Sequence, residues 1–210
     1  MGGVVNGRRC GSFGDCSILS FYANKQITTG EGGAILTDSE EVFEKVKYYR
    51  NLCFKERRFI HDDIGHNFRM TNMQAALGLS QLGRMTEILK KRQEIADIYY
   101  HYLQNLEQLV LPLKSYNGNR NVFWVFGILL NKQRNDGAIN QLARFGVGAR
   151  PFFSQLSQQG ALHKDNSKSN YYHNSRLLST HGLYLPSGLG TSLYNIEISA
   201  IRAKKVLTEL

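Results

Sequence analysis

The stretch SFYANKQITTGEGG, residues 20–33, decides how the rest of the sequence is interpreted. In this stretch Lys25 stands between an apolar segment and a glycine-rich turn at residues 30–33. Apolar neighbours remove water from a lysine and favour the free amine that a Schiff base requires. Ser20 offers a hydroxyl to a phosphate oxygen, and glycines let the backbone approach a bound ring or phosphate closely. On spacing alone, however, a surface lysine in a hairpin turn is the preferred interpretation.

Strand and helix signals flank this stretch. Residues 16–22 predict a short buried strand, and residues 34–37 predict a second strand. Asp38 followed by Glu41 is typical of a capping box, and the apolar spacing behind it predicts a helix to about Leu52.

The remaining chain also alternates between strands and helices. Thr71 with Gln74 is a second capping signature, which predicts a long helical region interrupted near Gly83. Periodicity and composition predict strands at 121–130 and 147–153, a helix at 136–145 closed by Gly146, a polar loop at 154–170 and a helix at 191–207. This alternation indicates an α/β protein.

The composition describes an ordinary globular chain of 210 residues. Apolar residues make up 42% and charged residues 20%, which excludes intrinsic disorder. The longest apolar run, residues 122–130, is far shorter than the ~20 residues that span a bilayer. We therefore expect a cytoplasmic protein with no membrane partner.

Metal-binding patterns are absent from the sequence. The three cysteines are an odd number without repeated spacing, so neither a disulfide framework nor a zinc site is indicated. His61 and His66, with Asp62 and Asp63 between them, lack the spacing of ligands on one helix face. We interpret them as solvated loop residues.

The net charge of +9 suggests an anionic partner. Residues 1–105 contain 14 basic and 12 acidic side chains, whereas residues 106–210 contain 12 and 5. Nucleic acid or a small phosphate-bearing ligand would fit this balance, and a lysine-rich solvated surface explains it equally well. A nucleic-acid-binding module would rest on net charge alone, because no such motif is visible, and we expect no nucleic-acid partner.

Residues 20–33 resemble the Schiff-base motif of the pyridoxal-phosphate-dependent nucleotide-sugar aminotransferases of the DegT/DnrJ/StrS type. In that family Ser-Phe precedes the reactive lysine and Gly-Glu-Gly-Gly follows it, as around Lys25 in this chain. Three further blocks resemble the family's later signatures and keep their order: GHNFRMTNMQAALGLSQL (65–82), RPFF (150–153) and LYLPSG (183–188).

The resemblance implies an α/β fold, the fold type I of pyridoxal-phosphate-dependent transferases, which is aspartate-aminotransferase-like. Residues 1–106 would be the C-terminal part of the large, cofactor-binding domain, and residues 107–210 a small C-terminal α/β domain. Family members carry a glycine/serine-rich phosphate loop, an aromatic residue stacked on the pyridine and an aspartate paired with its nitrogen before this part. Asp15 lies too close to Lys25 to be that aspartate. We therefore expect an N-terminally truncated large domain.

The resemblance assigns cofactor-binding roles to three residues. Lys25 would form the Schiff base with pyridoxal 5'-phosphate and then move the proton between substrate and cofactor. Ser20 would bind the cofactor phosphate in the same subunit. Asn67 would reach the phosphate bound by the neighbouring subunit of a homodimer, although a turn residue is the plainer interpretation of this asparagine.

The resemblance also assigns substrate contacts. Arg69 would lie near the shared site, and Arg150 and Phe152 would face the sugar nucleotide. The family has a proline and a histidine after the RPFF block, where this chain has Gln155 and Ser157. Because that histidine helps to hold substrate, the departure bears on affinity or specificity.

The resemblance implies transamination rather than dehydration, because the family's dehydratases replace the lysine at position 25 by histidine. The members that look most similar aminate a nucleotide-linked 4-keto-6-deoxy sugar, and we expect glutamate as the amino donor. The isolated chain is expected to be incomplete. The alternative is a non-catalytic remnant that only dimerises or binds a nucleotide sugar.

Overall fold

The computed structural model describes residues 1–57, 59–162 and 172–210. Contacts divide the chain into two compact units. Unit 1 comprises Met1–Leu89 and Ser115–Val122, and unit 2 comprises Lys90–Lys114 and Phe123–Leu210.

Short strands and helices make up the described residues. Up to residue 103 the elements are β1 (Val4–Val5), β2 (Arg8–Arg9), β3 (Ser17–Ser20), β4 (Gly33–Leu36), α1 (Glu40–Arg50), α2 (Asn72–Leu82) and α3 (Met85–Leu103). After residue 103 they are β5 (Leu109–Val110), β6 (Ser115–Tyr116), β7 (Asn119–Arg120), β8 (Phe126–Leu130), α4 (Asn135–Arg144), β9 (Arg150–Pro151), the 3-10 turn Leu156–Gln158, α5 (His173–His181), β10 (Gly182–Leu185) and α6 (Leu193–Thr208).

Unit 1 contains two small antiparallel sheets. One has the strand order β2-β1-β7-β6, and the other is the hairpin β3-β4, in which Ser20 lies opposite Gly33. The two strands predicted around residues 20–33 are therefore present. The prediction that residues 16–22 are buried is wrong, because Ile18 is 80% exposed. Within the described residues this hairpin has no third strand, so its outer edges lack a strand partner, and the face that carries Ile18 and Ile35 is exposed.

The helices of unit 1 begin at capping residues. The capping box at Thr71 and Gln74 is confirmed, and it starts α2 at Asn72. The break near Gly83 is also confirmed, since α2 ends at Leu82 and α3 starts at Met85. The cap predicted at Asp38 is wrong by one residue. The side chain of Ser39 accepts the hydrogen bond from the backbone N–H of Val42, at 3.3 Å, and begins α1.

Unit 2 is built on an antiparallel sheet with the strand order β5-β8-β10-β9. Helices α4 and α6 contact each other, and α4 also contacts β9 and β10. The main core cluster of the described residues belongs to this unit; its largest fully buried side chains include Tyr99, Phe126, Leu142, Leu183 and Ile196. The hydroxyl of Tyr99 donates a 2.6 Å hydrogen bond to the carbonyl oxygen of Pro186, which satisfies the polar end of this buried ring.

The structure corrects several predictions in unit 2. The strand predicted at 121–130 starts only at Phe126, because Phe123 has a positive φ of 46°, which is incompatible with a strand. The strand predicted at 147–153 is limited to Arg150–Pro151. Neither α5 nor β10 was predicted. The two helices predicted at 136–145 and 191–207 are confirmed within two residues, whereas the loop predicted at 154–170 lies partly outside the described residues.

The boundary between the two compact units falls within the sequence of helix α3. Residues up to Leu89 belong to unit 1, whereas the later part of the helix places Ile95, Tyr99 and Leu103 in the core of unit 2. Residues 115–122 return to unit 1, because β7 pairs with β1. The family-based division into 1–106 and 107–210 therefore differs from the compact units and stays a prediction. No helix in the described ranges is long and apolar enough to cross a membrane.

Replacing Leu142 by alanine tests the core of unit 2. Leu142 is fully buried, so Leu142→Ala leaves a cavity and lowers the free energy of unfolding of this unit by about 2–5 kcal/mol. The matched control is Leu113→Ala, because the side chain of Leu113 is 68% exposed and its loss costs less than about 0.5 kcal/mol. Urea denaturation followed by the fluorescence of Trp124 measures both changes. Equal losses would contradict this assignment of the core.

Candidate functional site

The loop between β3 and β4 carries Lys25 and is closed at its base by the backbone of Phe21. The Phe21 carbonyl oxygen accepts hydrogen bonds from the backbone N–H of Thr29, at 2.9 Å, and from the Thr28 hydroxyl, at 3.0 Å. The Phe21 N–H donates to the Gly32 carbonyl oxygen at 2.9 Å. Lys25 is half-buried, and its own N–H donates to the Tyr22 carbonyl oxygen at 3.0 Å. Lys25 thus lies on a closed loop.

The glycine-rich turn behind this loop requires a residue without a side chain at Gly32. Its φ is +137°, which side chains rarely tolerate, and a Cβ there would lie 2.8 Å from the Thr29 hydroxyl oxygen. The same Cβ would lie 3.4 Å from the sulfur of Met70. The turn therefore packs directly against the segment that precedes α2.

Helix α2 supports the loop through one of its faces. The side-chain amide of Gln81 donates to the Thr28 carbonyl oxygen at 2.7 Å and accepts from the Thr28 N–H at 3.0 Å. Gln74 donates to the Glu31 carbonyl oxygen at 3.3 Å. At Gly78 a Cβ would come within 3.0 Å of the Thr29 methyl group, so a small residue lets the loop approach.

We did not predict this support from the sequence. The signal that would have found it is the spacing of Gln74, Gly78 and Gln81 at i, i+4 and i+7, which places them on one helix face. The apolar residues of this helix were used to predict that it forms, whereas the contacts of its polar face were not predicted.

Ser20 ends β3, at the start of the loop of residues 21–32 that carries Lys25 and is called the lysine loop below. Its side-chain oxygen accepts a 3.3 Å hydrogen bond from the N–H of Tyr22, and the side chain is exposed. Within the described residues its O–H has no acceptor, so it is available to a phosphate oxygen.

Asn67 and Arg69 lie in an extended segment directly ahead of the N-cap of α2. The backbone of this segment is fixed to the end of α1: the N–H of Phe68 donates to the Arg50 carbonyl oxygen at 3.0 Å. Both Asn67 and Arg69 are exposed. The N-terminus of a helix has unpaired N–H groups and a partial positive charge, so this segment ends at a place that favours an anion.

The loop before Asn67 contains the acidic residues that were considered as metal ligands. The Tyr48 hydroxyl donates to Asp63 at 3.0 Å, and Lys55 pairs with Asp62 at 2.7 Å. Partial desolvation, followed by the hydrogen bond to Asp63, raises the pKa of Tyr48. His61 makes a 2.6 Å contact from Nδ1 to the Leu52 carbonyl oxygen. In the part of the chain that the structure describes, no three His, Cys, Asp or Glu side chains form a metal-binding group.

The two residues predicted to face the sugar nucleotide belong to unit 2. Arg150 is exposed on β9, opposite Tyr184 of β10. Phe152 is half-buried and lines a cavity of about 500 Å³, which Ser157 also lines. Gln155 and Ser157 are the two residues at which this chain departs from the block that the resemblance implies. Gln155 is buried, and its side-chain oxygen accepts a 3.3 Å hydrogen bond from the Ser157 hydroxyl.

The predicted site residues are thus distributed over both units. Ser20, Lys25, Asn67 and Arg69 belong to unit 1, whereas Arg150 and Phe152 belong to unit 2. The residues of unit 1 fit a phosphate-bearing aldehyde cofactor: Lys25 supplies an amine, Ser20 a free hydroxyl donor, and the turn at Gly32 a backbone without a side chain. Their roles stay predictions.

Residues 1–198 match the model of the DegT/DnrJ/EryC1/StrS aminotransferase family. The chain therefore belongs to this family. The resemblance to enzymes that aminate sugar nucleotides is confirmed by curated relatives. The chain is 37% identical over 157 residues to the GDP-perosamine synthase of Vibrio cholerae and 36% identical over 160 residues to that of Caulobacter vibrioides. These matches cover 73% and 74% of this chain but 42% and 43% of the relatives, so the chain spans less than half of their length.

Solved structures confirm the predicted α/β fold. Helicobacter pylori PseC, an aminotransferase involved in the biosynthesis of pseudoaminic acid, is similar with a TM-score of 0.87 at 24% identity. The aminotransferase TlmJ from Streptoalloteichus hindustanus is similar with a TM-score of 0.89 at 23% identity. The matches cover 100% and 99% of this chain, and 57% and 56% of those chains. Pyridoxal phosphate is the cofactor expected for this family.

Alanine substitutions in the glycine-rich turn test its geometry. Gly30→Ala introduces only backbone strain, because φ is +80° and no atom lies within 4 Å of the new Cβ. Gly32→Ala adds the contact with the Thr29 hydroxyl to an even less favourable φ. We expect local opening of the loop to become easier by roughly 1 kcal/mol for Gly30→Ala and roughly 2–3 kcal/mol for Gly32→Ala. Hydrogen exchange of the Thr29 amide measures both, and equal effects would contradict the close approach at Gly32.

Proposed function

We propose that the protein containing this chain transfers an amino group to a nucleotide-linked 4-keto-6-deoxy sugar, with pyridoxal phosphate as cofactor. The observation that carries the proposal is Lys25 on a loop closed by hydrogen bonds, beside the free hydroxyl donor of Ser20, in a chain of the aminotransferase family. GDP-perosamine synthases at 35–37% identity support a sugar nucleotide as substrate. We propose glutamate as the amino donor and the cytoplasm as the location.

The residues of unit 1 would hold the cofactor. Lys25 would hold the aldehyde group of the cofactor through Nζ and would later move a proton at that atom, and the Ser20 hydroxyl would donate to a phosphate oxygen. The bound cofactor supplies an electron sink for the bond changes at the amino-bearing carbon. The closed loop holds Lys25 in place, which is a requirement for proton transfer over a hydrogen-bond distance.

Asn67 and Arg69 would act across the interface of a homodimer. Both side chains are exposed on a segment whose backbone is fixed to α1, so they could contact a neighbouring subunit without a change in the backbone conformation of their own segment. Asn67 would donate to the phosphate bound by the partner subunit, and Arg69 would lie near that shared site. Arg150 and Phe152 would contact the sugar nucleotide, which carries the negative charge that an exposed arginine attracts.

A second candidate function is binding without catalysis. The exposed side chains of Asn67, Arg69 and Arg150 support it, because they could bind a partner subunit or a phosphate group without any reaction at Lys25. In this case the chain would dimerise or bind a nucleotide sugar but would not transfer an amino group.

Borohydride reduction of the complete or complemented enzyme that contains this chain, in the presence of pyridoxal phosphate, tests the role of Lys25. We expect the reduced pyridoxyl group on the peptide that contains Lys25, and at least about tenfold less on any other lysine, because Lys25 lies on a loop closed by hydrogen bonds that begins at Ser20, whose hydroxyl could hold the cofactor phosphate. Peptide mapping by mass spectrometry measures the distribution. Lys25→Ala abolishes this label, whereas the exposed Lys90→Ala is the matched control and keeps it. A label spread evenly over the lysines would overturn the assignment.

Mixing two impaired variants of the complete or complemented enzyme that contains this chain tests the role of Asn67. Asn67→Ala removes a hydrogen bond to a charged phosphate, worth roughly 1.5–3 kcal/mol, so cofactor retention falls about tenfold or more. When Asn67→Ala subunits are mixed with Lys25→Ala subunits, both changes affect one site of the mixed dimer and the other site stays intact. We expect partial recovery of amino transfer. No recovery, with mixed dimers demonstrated by mass spectrometry, would mean that Asn67 serves its own subunit or is only a turn residue.

A further inference from the structure

The side chain of Gln81 makes two hydrogen bonds to the backbone of the lysine loop, in the way that a neighbouring β-strand would. Its amide oxygen accepts from the Thr28 N–H at 3.0 Å, and its amide nitrogen donates to the Thr28 carbonyl oxygen at 2.7 Å. The same nitrogen donates to the Leu77 carbonyl oxygen of its own helix at 3.0 Å. One side chain therefore satisfies both backbone groups of Thr28 and is itself held by α2.

The position of Thr28 determines the position of Lys25. The two residues are close in the chain, and between them Ile27 is only 3% exposed. The packed side chain of Ile27 leaves the connecting backbone little room to absorb a shift. On its other side the Thr28 hydroxyl donates to the Phe21 carbonyl oxygen at 3.0 Å, which closes the loop. A shift of the Thr28 backbone would therefore be passed on to Lys25 and to the closure at Phe21.

We propose that Gln81 is a positioning residue for the reaction of Lys25. It acts through Thr28 and does not itself touch the reacting atoms; the identity of the reaction rests on the proposed function. A reacting group that is displaced by about 1 Å can lose about a hundredfold in rate, so a fixed loop backbone is a functional requirement.

Glutamine is the residue that this position requires. The two bonds to Thr28 need one donor and one acceptor on the same planar group, at the end of a side chain long enough to reach the loop. Methionine has the same length and neither group. An ionised glutamate has acceptors only, so it would face the Thr28 carbonyl oxygen without a donor, whereas a protonated glutamate again supplies both groups.

The experiment uses the complete or complemented enzyme that contains this chain, with pyridoxal phosphate. It compares Gln81→Met with the matched control Gln141→Met, since Gln141 is exposed on α4. Amide-resolved hydrogen exchange and borohydride labelling of Lys25 are measured at a temperature where circular dichroism shows all variants folded. In Gln81→Met we expect the Thr28 amide to exchange at least about tenfold faster, and labelling at Lys25 to slow by at least about tenfold. The control changes neither.

A third variant separates positioning from a general structural effect. In Gln81→Glu the protection of the Thr28 amide is expected near pH 4, where the carboxyl is protonated, and is lost as the pH rises above its titration. Gln81→Met shows no such pH profile after correction for intrinsic exchange.

The outcomes distinguish this inference from the proposed function. Faster exchange at Thr28 together with unchanged labelling of Lys25 would overturn the positioning role, and so would unchanged exchange. If the wild-type enzyme that contains this chain is not labelled at Lys25, the proposed function fails, and the positioning role defined for that reaction is overturned with it. Exchange at Thr28 then still tells whether Gln81 holds the loop, so the two failures are recognised separately.

Discussion

The hydrogen bonds to the carbonyl oxygen of Phe21 are the constraint on which the candidate site depends. The hairpin of β3 and β4 is two-stranded within the described residues, and an isolated two-stranded hairpin is marginally stable in water. The loop between its strands would therefore be free to adopt many conformations. The bonds from Thr28 and Thr29 to Phe21 remove this freedom at the base of the loop, so Lys25 has a defined place.

Helix α2 extends this constraint, and the position of its first residue matters. The capping box of Thr71 and Gln74 sets where the helix begins, and the spacing of Gln74, Gly78 and Gln81 at i, i+4 and i+7 places them on one face. On that face Gln74, Gly78 and Gln81 meet the lysine loop. Gln74 belongs both to the capping box and to the contact with Glu31, so a local signal at the start of the helix takes part in a contact between segments that are far apart in the chain.

Local signals were predictable from the sequence, whereas long-range ones were not. The cap at Thr71 and the break near Gly83 depend on neighbouring residues only, and both predictions were correct. The predicted start of a strand at residue 121 was wrong, because Phe123 adopts a left-handed conformation and packs into the core. Tertiary contacts determine that conformation. For the candidate site, the sequence identified Lys25 and its motif, but the bonds of Gln81 to Thr28 join distant segments that no local pattern reports.

The two units are stabilised in different ways, and this determines which part of the chain a substitution destabilises. All members of the main buried cluster belong to unit 2, whereas the buried apolar side chains described in unit 1 are Ile27 and Cys53. Unit 1 thus depends to a large extent on hydrogen bonds, each worth about 1 kcal/mol, rather than on apolar burial. Loss of one such bond opens the loop locally without unfolding the core of unit 2. The support of Lys25 is therefore a local equilibrium, which a substitution such as Gln81→Met can shift while the core of unit 2 stays unchanged.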